Sequence, residues 1–193
     1  MSIVDLDIVN PYFRSREAAK PLTDLGVNVI IPSGEQCSAD LPIVKPQVKG
    51  AIEADEGTLI IDLGGDDVGS RVLSSMADAF KPGNYDMFLV LNANRPFTSD
   101  VTSTLKMIAD IQASCRLKFT GIVSNTHLID ETDSETIMKG VRLSREVERE
   151  AGIKLKFVCM KAEMLDTIKP EEINCEVLPL SRFMLKPWEV KSR

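Results

Sequence analysis

The sequence has few of the features that mark membrane, secreted or nucleic-acid-binding proteins. Aromatic residues make up 5% of its 193 residues. No apolar run approaches the ~20 residues that a membrane-spanning helix needs. The N-terminal MSIVDLD has neither the basic segment nor the apolar core of a signal peptide. These absences predict a chain without a transmembrane segment and with a cytoplasmic location.

Clustered positive charge and paired cysteines are also missing. The 23 Lys and Arg residues against 29 Asp and Glu give a formal net charge of −6, with no basic block. Direct nucleic-acid binding by the monomer is therefore not expected, because clustered Lys and Arg bind the phosphate backbone. The four cysteines lie far apart without a CxxC pair, which favours reduced thiols. The single histidine, His127, cannot form a metal site by itself, and a loop-packing role is expected for it.

Apolar runs without alternation indicate strands that are buried on both faces. After Ile3-Val4 they occur at VNVIIP (27–32), TLIIDLGG (58–65), MFLVLNA (87–93), FTGIVSN (119–125), KLKFVCM (154–160) and EVLPL (176–180). Helical patterns lie between them at 68–80, 98–113 and 134–151, and Thr132 with Glu135 predicts a capping box for the last helix. The alternation predicts an α/β fold, a mostly parallel sheet flanked by helices, in a single domain over 1–193.

Polar side chains follow the ends of three predicted strands. Asp5 and Asp7 end the first strand, Asp62 ends the third, and Asn125 ends the fifth. The carboxyl ends of parallel strands form the edge at which such sheets bind ligands. Asp62 is a candidate ligand for Mg²⁺, and Asp7 is a candidate to orient a water, with Asp5 supporting it. Solvated acids, a helix cap and a turn asparagine are the ordinary structural roles that stay open for these residues.

Two further residue types suit the same edge. Gly64 and Gly65 follow Asp62 and would let backbone N–H groups approach a phosphate, because neither carries a side chain. The amide of Asn125 offers a donor and an acceptor, which matches the edge of adenine. A tight turn is the ordinary explanation for the glycine pair.

The order of these motifs resembles the ParA/MinD/CobQ group of deviant P-loop ATPases, in the SIMIBI class, which includes the nitrogenase iron protein. The resemblance covers roughly residues 3–180. VDLDIVNPY is similar to switch I, IIDLGGDDVG to Walker B with switch II, GIVSNTH to the base-binding strand, and VLPLS to the loop beside the base. It implies ATP and Mg²⁺ as cofactors. It also implies roles for individual residues: Asp7 in catalysis, Asp62 on the metal side, and Asp5, Gly64, Gly65, Asn125 and Pro179 in nucleotide binding.

The defining phosphate-binding loop of that group, GxxxxGK[ST], is missing from this sequence. None of the 11 glycines is followed by lysine. In the family this loop and its strand come before the acid-tipped strand, and the strand lies between those of Asp62 and MFLVLN. Without it, two sheet edges are expected to be exposed. Three explanations stay open: a misassigned start or truncation, a second chain that supplies the loop, and a decayed relative.

The resulting expectation is an ATP-binding, ATPase-type nucleotide switch or maturation protein. It would act as a homodimer or on a protein client, with weak ATP binding and impaired hydrolysis in this chain. One alternative is a non-enzymatic interaction module that has lost catalysis, which an upstream GxxxxGK[ST] would exclude. The other is a phosphoacceptor receiver domain, in which Asp5 and Asp7 face Asp62. The chain length and the glycines after Asp62 weigh against the receiver.

Overall fold

The computed structural model describes residues 1–7, 18–30, 46–54 and 57–182. They form two compact units. The first contains the described residues between Met1 and Asn84 together with Ala113–Arg116, and the second contains Tyr85–Gln112 and Leu117–Arg182. Each unit has one sheet in which every strand pair is parallel. The predicted α/β class with parallel strands and flanking helices is therefore confirmed, while the likeness to P-loop proteins and the single domain stay predictions.

The first unit is built on a three-stranded sheet of order β2-β1-β3. Its elements are β1 Ser2–Asp5, α1 Ala19–Asp24, β2 Asn28–Ile30, α2 Pro46–Glu53, β3 Leu59–Asp62 and α3 Asp67–Ser70. The central strand is the most deeply buried, with Val4 fully enclosed. β3 ends the sheet, and none of its four residues is buried although its sequence is LIID.

The segment predicted as one helix over 68–80 has a different structure. The α-helix α3 ends at Ser70, and a 3₁₀ helix continues from Arg71 to Ala79. The hydroxyls of Ser70, Ser74 and Ser75 each donate to the carbonyl three residues earlier. Serine hydroxyls compete in this way with the regular helix ladder, so local bonding at these serines accompanies the tighter winding.

The second unit is built on a four-stranded sheet of order β4-β5-β6-β7. Its elements are β4 Phe88–Leu91, α4 Val101–Cys115, β5 Gly121–Ser124, α5 Ser134–Ala151, β6 Leu155–Lys161, α6 Pro170–Ile173 and β7 Glu176–Leu180. The last residues of α4, from Ala113 on, are counted with the first unit. Each strand pairs with the next one along the chain. Right-handed connections in one direction place the connecting helices on one face of such a sheet. Among the described residues, β4 lies at one end of this sheet, as β3 does in the other sheet.

Helix α5 has the predicted range, but its predicted cap was wrong by one residue. Asp133 is the N-cap, and its carboxylate accepts hydrogen bonds from the Thr136 N–H at 2.8 Å and hydroxyl at 2.6 Å. These bonds lower the pKa of Asp133. Thr132 instead donates its hydroxyl to the Ile129 carbonyl at 2.8 Å. Because the Thr132 hydroxyl is bonded to the 3₁₀ turn at 129–131, the next residue caps the helix.

Two helices of the first unit were not predicted. The α1 sequence AKPLTD contains a proline and the α2 sequence PQVKGAIE contains a glycine, and both residues have low helix propensity. In the part of the chain that the structure describes, no helix is both long and apolar enough to cross a membrane.

Candidate functional site

The first candidate site is an acidic cluster, Asp5, Asp7 and Asp62, at the carboxyl ends of β1 and β3. Asp5 lies directly opposite Asp62 in the parallel register. The Leu6 N–H donates to the Asp62 carbonyl at 2.8 Å, so the pairing continues one residue beyond β1. Asp7 is the next residue after Leu6. The structure therefore brings together the three acids that the sequence predicted for one sheet edge.

Within the cluster, Asp5 and Asp7 are linked through a turn. The Asp7 N–H donates to Asp5 Oδ1 at 3.1 Å. Asp5 is 2% exposed, whereas Asp7 is partly exposed. A short acidic side chain that bonds the backbone two residues later fixes the chain direction at a strand end. Asp5 therefore has a structural role in positioning Asp7, and Asp7 is the member of this pair that solvent reaches more readily.

Gly64 packs against the acidic cluster and the first turn of α3. A Cβ at position 64 would lie 3.1 Å from Asp7 Oδ1 and 3.0 Å from the Gly69 Cα. A Cβ at Gly69 would in turn lie 2.8 Å from the Gly64 Cα, so both positions are too tight for a side chain. Gly65 is exposed, and a Cβ added there would meet no atom within 4 Å. Close packing within the protein is thus found at Gly64 and not at Gly65, and the predicted approach of a phosphate to both glycines stays a prediction.

Gly69 is a residue that the sequence reasoning missed. Its spacing from Gly64 was the available signal, since a glycine at the start of a helix after a Gly-Gly pair indicates close backbone packing. The same turn is fixed by Asp66, whose Oδ1 accepts from the Gly69 N–H at 2.6 Å as the N-cap of α3. Asp66 therefore serves the start of this helix.

The acidic cluster does not form a metal site by itself. Among the described residues, no group of three or more His, Cys, Asp or Glu side chains could hold a metal ion. Magnesium at nucleotide sites is held by one or two carboxylates, with water and substrate phosphates as its other ligands. The carboxylates of this cluster fit that arrangement, in which a phosphate compound and the metal bind together. They do not fit a metal held by protein groups alone.

Asn125 and Pro179 lie in the second unit. The Asn125 N–H donates to the Leu91 carbonyl at 2.7 Å and extends the β4–β5 ladder past its last strand residue. The Asn125 side chain is partly exposed at this carboxyl edge. Pro179 lies inside β7, opposite Met160 of β6, and not in the loop that the resemblance implied. A parallel edge strand tolerates proline, because the missing N–H can face away from the sheet.

Polar residues that the sequence reasoning did not select surround the edge near Asn125. Thr126 is buried, and its hydroxyl accepts from the Ala93 N–H at 2.9 Å, which ties the end of β4 to the end of β5. Lys139 Nζ donates to Asn94 Oδ1 at 2.8 Å. The Asn94 Nδ2 group is enclosed without a hydrogen-bond partner in the described structure. No periodic pattern marks such residues, because their roles depend on contacts across more than 30 positions.

His127 follows this edge and carries a perturbed pKa. Burial lowers its pKa, and the positive charges of Arg95 and Lys161 lower it further. Its Nδ1 accepts from the Ile129 N–H at 3.2 Å, a bond that needs an unprotonated Nδ1. His127 is therefore a neutral residue in a loop with cationic neighbours, which agrees with the expected packing role.

The fold and these residues define a parallel α/β protein with acids at the carboxyl edge of one sheet and amides, hydroxyls and cations at that of the other. Such edges are where proteins of this class bind ligands. No family model, curated protein or solved structure matches the chain. The likeness to the ParA/MinD/CobQ group therefore depends on the motifs described above.

Proposed function

We propose that the chain is an ATP-binding protein of the ParA/MinD/CobQ type, and that Mg-ATP binds at the acidic cluster. The observation that carries this proposal is the convergence of Asp5, Asp7, Asp62 and Gly64 at one edge. Two of these acids are held by parallel pairing and a third by a turn. A carboxylate beside a glycine that tolerates no side chain suits a phosphate and its cation.

Each residue of the cluster has a distinct role in this proposal. Asp62 contributes the carboxylate on the Mg²⁺ side, and Asp7 holds a water near the terminal phosphate. Asp5 positions Asp7 through the turn bond at 3.1 Å. Bound ATP supplies the phosphoanhydride and the remaining metal ligands. A homodimer or protein client responds to the nucleotide state.

The affinity of this chain for ATP is expected to be low. In P-loop proteins the Lys and backbone N–H groups of GxxxxGK[ST] hold the phosphates. This sequence contains no Gly-Lys pair to supply that Lys. The acidic cluster would then bind ATP through the metal ion more than through direct phosphate contacts, so binding should disappear when Mg²⁺ is removed.

Isothermal titration calorimetry with ATP, in Mg²⁺ and in EDTA, tests the proposal. We expect weak binding in Mg²⁺ only, reduced about tenfold or more by Asp62→Asn, since one charge-assisted contact is worth about 1.4 kcal/mol or more. Asp7→Asn should retain binding and lose any hydrolysis. The matched control is Asp24→Asn, at a surface acid paired with Lys20 on α1. Equal ATP binding with and without Mg²⁺, or no binding at millimolar ATP, would refute the proposal.

A non-enzymatic interaction module is the second candidate. It is favoured by the lack of a Gly-Lys pair in the sequence, and by the position of β3 and β4 at the ends of their sheets among the described residues. The two candidates differ in one measurement. The module requires self-association or client binding without any Mg²⁺-dependent affinity for ATP, whereas the nucleotide switch requires that affinity.

A further inference from the structure

The two edges of the second sheet differ in how well they are protected from other strands. β7, at one edge, contains the charged Glu176 and Pro179. β4, at the other edge, has the sequence FLVL without a charge or proline. Proteins usually protect an edge with such residues, because unpaired backbone groups recruit further strands. By this criterion the β7 edge is protected and the β4 edge is not.

Within the part of the chain that the structure describes, the backbone of β4 has hydrogen-bonding groups at this edge that no other strand uses. The Met87 carbonyl accepts from the Thr120 N–H at 2.8 Å, and the Leu91 carbonyl accepts from the Asn125 N–H at 2.7 Å. Alternate residues of a strand direct their backbone groups to opposite sides. The N–H and C=O groups of Phe88 and Val90 therefore point away from β5. Among the described residues β5 is the one strand that pairs with β4.

The side chains of the same two residues are apolar and open to solvent. Phe88 is 38% exposed and Val90 is 60% exposed, whereas Leu89 and Leu91 on the opposite face are buried. Phe88 packs edge-to-face on Phe157 of β6, with ring centroids 6.0 Å apart. The β4 edge thus combines free backbone groups with an exposed apolar surface that is anchored to the sheet.

We propose that the β4 edge pairs with the β4 edge of a second copy of the chain, in an antiparallel arrangement about a two-fold axis at Leu89. In this register Phe88 lies opposite Val90 of the second copy, at the positions whose backbone groups are free. The two-fold symmetry repeats this pair of an aromatic and a β-branched residue, so it occurs twice in the interface. Such cross-strand pairs are favourable. Asp86 comes opposite the uncharged Asn92 of the second copy, so the register brings no like charges together.

A second copy fits this edge because the edge is self-complementary in both pattern and charge. In the proposed register Phe88, Leu89 and Val90 pair with the same three residues of the second copy, and Leu91 lies opposite Met87; all of these residues are uncharged. The contact is short, with four residues in each strand. Interfaces of small area give weak or transient complexes, so we expect a dissociation constant of about 10 µM or more. The pairing requires no nucleotide and does not rest on the proposed function.

Sedimentation velocity without nucleotide, from about 1 µM to about 500 µM protein, tests the pairing. The informative variant is Val90→Lys, which places two cations at the interface. Its matched control is Leu178→Lys, on the same sheet face in β7, where Leu178 is 44% exposed. We expect the wild type and Leu178→Lys to dimerise alike, and Val90→Lys to weaken the dimer tenfold or more. Circular dichroism checks that both variants are folded.

Hydrogen exchange gives a second readout that does not depend on a variant. The Phe88 and Val90 amides should become protected as the protein concentration rises, while the Leu89 amide, directed toward β5, should not change. A protein that is monomeric at every concentration overturns the proposal. A dimer that Val90→Lys leaves intact, or that forms only with ATP, overturns it as well, because either result assigns the contact to another surface.

Discussion

Replacing Gly140 with alanine tests how closely α5 packs on the second sheet. Gly140 lies in the middle of α5 and is buried. A Cβ at this position would lie 2.5 Å from the Thr126 Cβ and 2.9 Å from the Ser124 Oγ. Both neighbours are buried and belong to β5 or the residues that follow it. The methyl group cannot be accommodated unless α5 moves away or Thr126 changes rotamer.

The size of the effect follows from three contributions. Alanine in a helix interior is favoured over glycine by about 1 kcal/mol. Forcing an extra methyl group into a packed core costs about 1–3 kcal/mol. If Thr126 rotates, the buried Ala93 N–H loses its acceptor at 2.9 Å, which costs about 1–3 kcal/mol. With all three contributions, we expect Gly140→Ala to lower the free energy of unfolding by about 1–5 kcal/mol; if α5 moves and Thr126 keeps its rotamer, we expect a loss of up to about 2 kcal/mol.

Urea unfolding followed by circular dichroism measures this change, with Gly50→Ala as the matched control. Gly50 is also in a helix, α2, but a Cβ there meets nothing within 4 Å. That variant should be unchanged or more stable by up to about 1 kcal/mol. The packing argument is refuted if Gly140→Ala is as stable as the wild type, or if both alanines shift the unfolding midpoint in the same direction.

Two titrating side chains give further predictions. His127 has a pKa lowered mainly by burial, so its contribution to stability is complete above about pH 6.5 and is lost as the pH falls toward the folded-state pKa. His127→Gln should reduce this acid-dependent loss, and an NMR titration should place the pKa below about 6.5; a higher value would contradict the structure. Burial raises the pKa of Cys159 to about 11, so its thiol should react slowly with a disulfide reagent until urea is added. Cys159→Ala should therefore leave the fast-reacting thiols of the native protein unchanged, and loss of a fast thiol would count against the assigned burial.

The sequence predicted those elements whose pattern is local. The range of α5 was correct because its apolar spacing ends at Gly152, which has the positive φ of 69° expected for a helix C-cap. The strand at 176–180 was correct for a similar reason, as a short apolar run between polar residues. The cap of α5 was wrong because Thr132 is engaged by the preceding turn. Such competition between neighbouring hydroxyl and carboxylate caps depends on turn geometry, which the residue pattern does not encode.

For the candidate site, the sequence located the acids but not their relationships. Strand-end position was enough to place Asp5, Asp7 and Asp62 at one edge, since parallel strands share that edge. The contrast between the tight Gly64 and the open Gly65 depends on how α3 packs, and adjacent glycines look alike in sequence. The lowered pKa of His127 arises from burial and from charges at distant positions in the chain, which no local motif could have indicated.

The contact between Gly64 and Gly69 has a mechanical consequence. With the two backbones touching and the Asp66 carboxylate closing the turn, the segment 64–69 forms a ring that has little room to deform internally. A ligand that displaced the backbone at one end of this ring would carry the start of α3 with it. A single added methyl group at either glycine would meet the backbone of the other and force the two ends of this segment apart.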